Sequence, residues 1–322
     1  MNLSKIKEPV EEELKTFQKR FSSELSSKVA LIDLITKYIL KQKGKKVRPM
    51  LVLLCAKMCG QINDRTYTAA IMIELLHTAT LIHDDVVDNA KTRRGLASIN
   101  AVWKSKVAVL MGDFLLSKGL LVSLDKNEFG FLKITSEAVK KMSEGELLQI
   151  QKARNFDATE ETYFQVIKNK TASLFQACCV LGGSSVVNNK DELNALSSFG
   201  ENLGIAFQLR DDLLDYTGRK KLLGKSTGND LKEKKFTLPL IKALETAPKK
   251  ESSHIMKLIK NERESNFETV FDFINNHGGL DYTIDKINEY SIKAIRQLER
   301  FPTSESKSSL KKLVSFISDR EY

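Results

Sequence analysis

The sequence predicts an all-α protein, and three observations support this fold class. Proline is scarce, with five among 322 residues. Leu, Ile, Lys, Glu and Ala dominate long stretches, and most of these residue types favour helices. Apolar residues recur at helical spacing, without the alternation that strands show. No long linker or tandem repeat divides the chain, so we expect a single domain over residues 1–322.

The predicted helices follow one another from the N-terminus. Residues 10–42 are amphipathic and predict the first helix, and a basic loop, KGKKVRP, then runs to Pro49. A strongly apolar helix, MLVLLCAKMC, is closed by Gly60. The next helix, over residues 66–88, is apolar around most of its circumference, so we expect it at the centre of a bundle.

The helical pattern resumes after the polar turn NAKTRRG. Helices are predicted over residues 106–124, 131–155, 159–181 and 191–217. Residues 217–236 are rich in Lys and Gly and lack apolar periodicity, so they predict a mobile lid. Helices then continue after TLPLI, with breaks at Pro248, residues 275–279 and Pro302.

Charge and hydropathy limit the possible partners and compartments. A net charge of +10 would suit nucleic acid, an anionic membrane or phosphorylated small molecules. No long uncharged apolar run has the flanks of a membrane span, and MNLSKIKEPVEEELK lacks the apolar core of a signal peptide. We therefore expect a soluble, cytoplasmic protein. The spacing of its four cysteines suits neither a zinc site nor a disulfide framework and indicates buried, reduced thiols: Cys55, Cys59, Cys178 and Cys179.

Two copies of the motif Asp-Asp-x-x-Asp carry the strongest functional signal. The first is Asp84, Asp85 and Asp88, and the second is Asp211, Asp212 and Asp215. Like charges this close repel one another unless a cation neutralises them, and oxygen ligands suit Mg²⁺ shared with substrate phosphates. A solvated acidic patch is the alternative, but two copies that both follow apolar helical runs argue against it.

Helical geometry sorts the acids within each motif. Residues i and i+4 share a helix face, so Asp84 and Asp88 can converge on one metal cluster while Asp85 turns toward a flanking partner. In the second motif, one stripe of the helix carries Gln208, Asp211 and Asp215.

Basic residues accompany the acidic motifs. A loop before a helix supplies Gly44, Lys45 and Arg48, two arginines follow the first motif (Arg93, Arg94), and Lys170 and Lys225 could reach phosphate from the opposite wall. A lone lysine in so basic a chain is normally a solvated charge, so only their position beside the acids singles these residues out. His77 lies about two turns before Asp84 on the same face.

Together these residues resemble the trans-isoprenyl diphosphate synthase (polyprenyl synthetase) family. The resemblance runs from GKKVRP near residue 44 to GGLDYTIDKI near residue 287, and the family's motifs occur in order: GKxxRP, HTATLIHDDVVD, RRG, GDFLL, EGELLQ, KTASLF, FQLRDDLLD, GKSTGND and TLPLI. The resemblance implies an isoprenoid-synthase-type helical bundle around a deep central cavity, usually a homodimer. It also implies Mg²⁺-dependent condensation of isopentenyl diphosphate with an allylic diphosphate, farnesyl or geranylgeranyl diphosphate.

The resemblance implies roles for individual residues. Three Mg²⁺ ions would be ligated by Asp84, Asp88 and Asp211, with support from Asp85, Asp212 and Asp215. The allylic diphosphate would be bound by Arg93, Lys170, Lys225 and Lys235. Isopentenyl diphosphate would be bound by Gly44, Lys45, Arg48, His77 and Arg94. The path of the carbocation would be lined by Lys170, Thr171 and Gln208. Members of the family often have Gly-Lys where this chain has Lys234 and Lys235, so which of these two lysines reaches phosphate stays open.

Two small residues bear on product length. Thr80 and Ala79 precede Asp84 by four and five residues, about one helical turn deeper along the path of a growing chain. Short-chain members of the family commonly block this level with an aromatic residue, and their basic C-terminal ending is missing from SDREY. We therefore expect an all-trans product longer than geranylgeranyl, of hexa- to octaprenyl length and most closely octaprenyl, for a quinone side chain. So hydrophobic a product would allow transient membrane association.

Four other functions each explain part of the sequence. A geranylgeranyl diphosphate synthase would differ in product length. A class I terpene cyclase shares the bundle and the first motif, but its second metal motif usually follows an Asn/Ser/Glu pattern. A non-catalytic subunit of a heteromeric synthase would generally lack the acidic motifs. A nucleic-acid-binding helical protein would not explain why acids line central helices, so we expect no nucleic-acid partner.

Overall fold

Helices form nearly all of the described structure, which confirms the all-α prediction. The computed structural model describes residues 3–42, 44–155, 159–217, 235–260 and 267–319. In the first half, the helices are α1 (Leu3–Lys7), α2 (Glu11–Glu24), α3 (Ala30–Lys41), α4 (Val47–Cys59), α5 (Asp64–Val87), α6 (Ile99–Asp125) and α7 (Phe129–Asn155). A 3₁₀ turn, Glu8–Val10, joins α1 to α2, and a hairpin of β1 (Thr92–Arg93) and β2 (Leu96–Ala97) joins α5 to α6.

The second half continues with α8 (Glu160–Ile167), a π-helical turn (Lys168–Ala172), α9 (Ser173–Ser184) and α10 (Lys190–Thr217). The remaining helices are α11 (Leu238–Thr246), α12 (Lys249–Lys260), α13 (Phe267–Asn276), α14 (Gly279–Leu298) and α15 (Glu305–Ser318). The predicted lid over residues 217–236 lies mostly outside the described residues, as do Lys225 and Lys234. The single-domain assignment stays a prediction.

The single helix predicted over residues 10–42 is wrong, because the chain forms α2 and α3 there. Serine side chains compete for backbone groups at the break. Ser26 Oγ donates to the Ser23 carbonyl at 2.8 Å, and the Val29 backbone N–H donates to Ser27 Oγ at 3.2 Å. Such local hydrogen bonds offer the backbone an alternative to the helix, so the chain turns between the two elements.

Helix α5 lies at the centre of the bundle, as its all-round apolar surface predicted, and packs against α2, α4, α6 and α9. It starts at a capping box in which the Asn63 side chain accepts from the Thr66 backbone and the Thr66 hydroxyl accepts from the Asn63 backbone. This start fixes the helix whose far end carries the first acidic motif.

Two apolar clusters make up the core, and α10 contributes to both. Leu203 belongs to the larger cluster around α4, α5 and α9, and Leu209 belongs to the cluster that α8 and α10–α14 form. The second acidic motif lies near the C-terminal end of α10. Core packing on both sides of this helix therefore holds the motif in place. Three of the four free cysteines, Cys55, Cys178 and Cys179, are buried as predicted, whereas Cys59 is half-buried.

Helix α6 leaves an apolar face uncovered. It is long and apolar enough to cross a membrane, a test that core helices of soluble proteins also pass, and 39% of its most apolar window is buried in the molecule. One side packs along α5. The other side exposes the apolar residues Val102, Val109, Leu110, Leu120, Leu121 and Leu124.

Candidate active site

The first acidic motif lies at the C-terminal end of α5, and its middle residue is oriented differently from the outer two. Asp85 is buried, whereas Asp84 is half-buried and Asp88 is exposed. The Asp85 Oδ1 atom accepts from Arg93 Nε at 2.8 Å and also from Arg93 Nη2. Asp85 thus connects α5 to the hairpin and holds Arg93 beside the motif.

Asp84 lies where a negative charge is costly. Burial raises its pKa to about 6, and although Lys170 and Arg93 oppose this shift, the negative charges of Glu146 and Asp88 add to it. The C-terminal end of a helix also carries partial negative charge, which adds to the repulsion. A divalent cation would relieve this repulsion.

The donor set fits a hard cation. Within the described ranges, no group of three or more His, Cys, Asp or Glu side chains forms a ready-made metal site. The outer acids of both motifs, Asp84, Asp88, Asp211 and Asp215, offer oxygen ligands at half-buried or exposed positions. Hard cations such as Mg²⁺ are commonly bound by one or two carboxylates together with substrate phosphates.

The second motif repeats the division between middle and outer acids. Asp212 is buried, and its two carboxylate oxygens accept from Tyr163 Oη and Gln208 Nε2, each at 2.6 Å. Gln208 Oε1 in turn accepts from Thr171 Oγ1 at 2.6 Å. Tyr163 was not among the predicted site residues, because no local pattern links it to the motif 49 residues away.

Lys170 lies in the π-helical turn, opposite α7. Its ammonium group pairs with the Glu146 carboxylate and donates to Gln149 Oε1 at 2.9 Å. The two backbones come close because residue 145 is Gly, where a Cβ would lie 2.8 Å from the Lys170 backbone nitrogen. Glu146 and Gln149 belong to the EGELLQ motif, so the sequence contained this motif but did not show that its side chains contact Lys170.

Arg48 and His77 form a pair at the predicted isopentenyl diphosphate site. Arg48 Nη1 and His77 Nε2 lie 2.9 Å apart. Burial lowers the pKa of His77 well below its usual value, and the positive charges of Arg48, Arg94 and Arg93 lower it further. His77 is therefore neutral and accepts from Arg48. Among the residues that the structure describes, no hydrogen-bond partner meets the buried Arg48 Nε atom, so it could donate to a ligand.

Arg94 and Gly95 form the turn of the hairpin that NAKTRRG makes instead of a plain polar turn. Both have positive φ, 52° and 79°, as a two-residue type I′ turn requires. Left-handed backbone is uncommon for a non-glycine residue, so the hairpin holds Arg94 in a strained conformation. Its guanidinium lies directly against Gly44.

The two neighbouring lysines of the basic loop have different surroundings. The Lys45 ammonium is 5.7 Å from the centre of the Phe316 ring, and its side chain is exposed. Lys46, which is not among the predicted site residues, lines a cavity together with Gly44, Glu74 and Arg94. The sequence alone offered no basis for choosing between adjacent lysines.

Two cavities each bring several of the predicted residues together. The first is lined by, among others, Gln149, Tyr163, Lys170, Thr171, Gln208, Asp212 and Lys235. The second is lined by, among others, Gly44, Lys46, Glu74, Asp85, Arg93 and Arg94. Ala79 is buried, and half-buried Thr80 donates to the His77 carbonyl at 2.9 Å. Neither residue lines these cavities, and their effect on product length stays a prediction.

Comparisons with known proteins show what the whole chain is similar to. The family model described as Polyprenyl synthetase matches residues 29–274. The chain is 37% identical over 314 residues to an all-trans-nonaprenyl-diphosphate synthase (geranyl-diphosphate specific) of Rhodobacter capsulatus, covering 97% of this chain and 96% of that one. It is 37% identical over 311 residues to the octaprenyl diphosphate synthase of Escherichia coli (strain K12), covering 96% of each chain.

Solved structures show the same fold. A polyprenyl synthase from Caulobacter crescentus CB15, complexed with calcium and isoprenyl diphosphate, superimposes with a TM-score of 0.93 at 32% identity, covering 100% of this chain and 98% of that one. A decaprenyl diphosphate synthase from Rhodobacter capsulatus gives a TM-score of 0.94 at 32% identity, with both chains fully covered.

Proposed function

The chain belongs to the polyprenyl synthetase family and is a trans-polyprenyl diphosphate synthase, and we propose that it extends farnesyl or geranylgeranyl diphosphate with isopentenyl diphosphate to hexa- to octaprenyl diphosphate. Octaprenyl diphosphate, for a quinone side chain, is the product we favour. The observation that carries the proposal is the pair of differently built cation clusters beside the acidic motifs. One contains Lys170 and the other contains Arg48 and Arg94, as two diphosphate substrates require.

The acids and cations of the first cluster would act on the allylic diphosphate. Asp84, Asp88 and Asp211 would hold Mg²⁺, three ions in our proposal, which when bound supplies positive charge to the departing diphosphate. Arg93 is fixed by Asp85 and Lys170 by Glu146, so both are pre-positioned to bind the same leaving group. Pre-positioned charge of this kind lowers the barrier to breaking the allylic C–O bond, whose electron pair leaves with the diphosphate.

The second cluster would orient isopentenyl diphosphate. Arg48, held by neutral His77, and Arg94, held by the hairpin, would bind its diphosphate. The isopentenyl double bond would then attack the allylic carbon and form the new C–C bond. The resulting cation loses a proton to the released diphosphate, so no general-base histidine is needed.

The exposed face of α6 supports a homodimer. A large apolar patch is rarely left exposed on a monomer, and a second copy of the chain would cover the exposed apolar side chains of α6. We further propose that the enzyme is cytoplasmic and that its hydrophobic product brings it transiently to membranes.

Product sizing tests the function. Purified protein with Mg²⁺, farnesyl diphosphate and isopentenyl diphosphate should yield products of hexa- to octaprenyl length by chromatography. Products that stop at geranylgeranyl length would contradict the long-chain proposal. Turnover of the allylic diphosphate into cyclic hydrocarbons without isopentenyl diphosphate would instead identify a cyclase.

A further inference from the structure

A continuous chain of hydrogen bonds connects the second acidic motif to the predicted path of the carbocation. Thr171 Oγ1 donates to Gln208 Oε1, Gln208 Nε2 donates to Asp212 Oδ1, and Tyr163 Oη donates to Asp212 Oδ2. Each of these three bonds is 2.6 Å long. All four side chains line the first cavity, together with Lys170. We call this set the Thr171–Tyr163 network.

The donor and acceptor roles in the Thr171–Tyr163 network are fixed by the Asp212 carboxylate. An ionised carboxylate can accept hydrogen bonds but not donate them, so Gln208 must turn its NH₂ group toward Asp212. The amide oxygen of Gln208 therefore faces Thr171, whose hydroxyl hydrogen is committed to it. The lone pairs that remain on these two oxygens are then available to the cavity. Without Asp212 the amide could flip, and the Thr171 hydroxyl could rotate.

We propose that Asp212 is a positioning residue that acts, together with Tyr163, by fixing the dipoles of Thr171 and Gln208. The oxygen ends of these dipoles would stabilise the positive charge that develops on the allylic carbon, an inference that rests on the proposed function. Dipoles fixed in advance stabilise a transition state without the cost of reorganising during the reaction. This assignment replaces the supporting role toward metal that the family resemblance implied for Asp212.

The first motif is built on the same plan. Asp85, the middle residue, is buried and holds Arg93, while the outer acids remain accessible. In both motifs the middle aspartate therefore orients a neighbouring group that faces the substrate. The repeated Asp-Asp pair combines a metal-facing acid with an acid that orients a partner.

Tyr163→Phe tests the proposal without touching a metal-facing acid. It removes the hydroxyl that donates to Asp212 Oδ2 and so weakens the hold on the Asp212 carboxylate. We expect kcat to fall about tenfold, which corresponds to about 1.4 kcal/mol. The KM values for both substrates and the Mg²⁺ concentration for half-maximal activity should stay within about twofold of wild type, because neither diphosphate site is altered.

Asp212→Asn is the second variant. Asparagine puts an NH₂ group in place of one carboxylate oxygen, so it has an acceptor at only one of the two positions that Tyr163 and Gln208 now contact. We expect a loss of kcat at least as large, again with an unchanged Mg²⁺ requirement. A severalfold rise in the Mg²⁺ requirement of Asp212→Asn, or a Tyr163→Phe enzyme with wild-type kcat, would overturn the proposal. Should Asp212→Asn not fold, the result for Tyr163→Phe decides.

Tyr282→Phe is the matched control. Like Tyr163→Phe, it removes a tyrosine hydroxyl that donates to a carboxylate, here that of Glu160 on α8 at 2.8 Å. Unlike Tyr163, Tyr282 does not line the first cavity. Its kcat should stay within about twofold of wild type. The outcomes also separate this proposal from the proposed function, since wild-type protein that forms no prenyl diphosphate would contradict the function, whereas variants with unchanged kinetics contradict only the network.

Discussion

Substituting Gly44→Ala should weaken binding of isopentenyl diphosphate selectively. An added Cβ would lie 2.4 Å from Arg94 Nη1 and 2.8 Å from Arg94 Cζ. Ordinary contact begins at 3.4 Å, so the guanidinium must withdraw by about 1 Å. The backbone of Gly44 is not in the left-handed region, so alanine brings no other strain there. Arg94 is held by the hairpin turn and can respond only through its side-chain torsions.

The expected effect follows from this displacement. A binding group misplaced by about 1 Å can cost about 100-fold, so the KM for isopentenyl diphosphate should rise by about 10- to 100-fold. The KM for the allylic substrate should stay within about twofold, because the three heavy atoms nearest to the added Cβ all belong to Arg94 and not to Arg93 or Lys170. Stability should fall by less than about 1 kcal/mol, since the contact is with the far end of a flexible side chain.

Initial rates, measured with each substrate varied while the other is saturating, provide the assay. Gly130→Ala is the matched control, because no heavy atom lies within 4 Å of its added Cβ. An unchanged KM for isopentenyl diphosphate would refute the reasoning. An equal rise in both KM values would also refute it, because it would indicate a general distortion of the site rather than displacement of Arg94.

Three further predictions concern the metal, the packing and the thiols. Asp84→Ala should abolish turnover, while its thermal unfolding midpoint, measured by circular dichroism, stays near that of wild type. EDTA should abolish the activity of the wild-type enzyme until Mg²⁺ is restored. Robust activity in either experiment would contradict the metal assignment. Gly182→Ala places a Cβ 2.3 Å from the Val52 carbonyl oxygen, so urea denaturation should show a loss of about 1–3 kcal/mol from overpacking of α4 against α9. Burial raises the pKa of Cys59 to about 12 and also raises that of Cys178, so at pH 8 both thiols stay protonated and should react with Ellman's reagent only after unfolding; rapid labelling of the native protein would contradict this.

Local patterns in the sequence predicted the long helices well. The predicted helix over residues 191–217 matches α10, Lys190–Thr217, and the one over residues 66–88 matches α5, Asp64–Val87. Both have apolar residues at the spacing that a buried helix requires. The break between α2 and α3 and the hairpin at Arg94 were missed, because each depends on a few side-chain hydrogen bonds or on backbone angles rather than on periodicity.

The composition of the site could be predicted from the sequence, but its internal pairing could not. The acidic motifs and the basic residues near them were evident because their charges are concentrated within a few residues. The partners of Lys170 were not, since Glu146 and Gln149 lie on another helix and reach it only where Gly145 allows close packing. Lys46 lines the second cavity whereas Lys45 lies beside Phe316, a difference that the sequence cannot show because the fold alone sets the direction of each side chain.

The sequence by itself determined the fold class, the family and the residue types of the candidate site, because periodicity, motif order and local charge are properties of neighbouring residues. Helical spacing already separated the middle acid of the first motif from its outer acids, but the tertiary structure alone decided which group each middle acid holds. Asp85 bonds to Arg93 across a hairpin, and Asp212 bonds to Tyr163, 49 residues away. These bonds form only when separate elements pack together, so three identical letters in each motif acquire different roles.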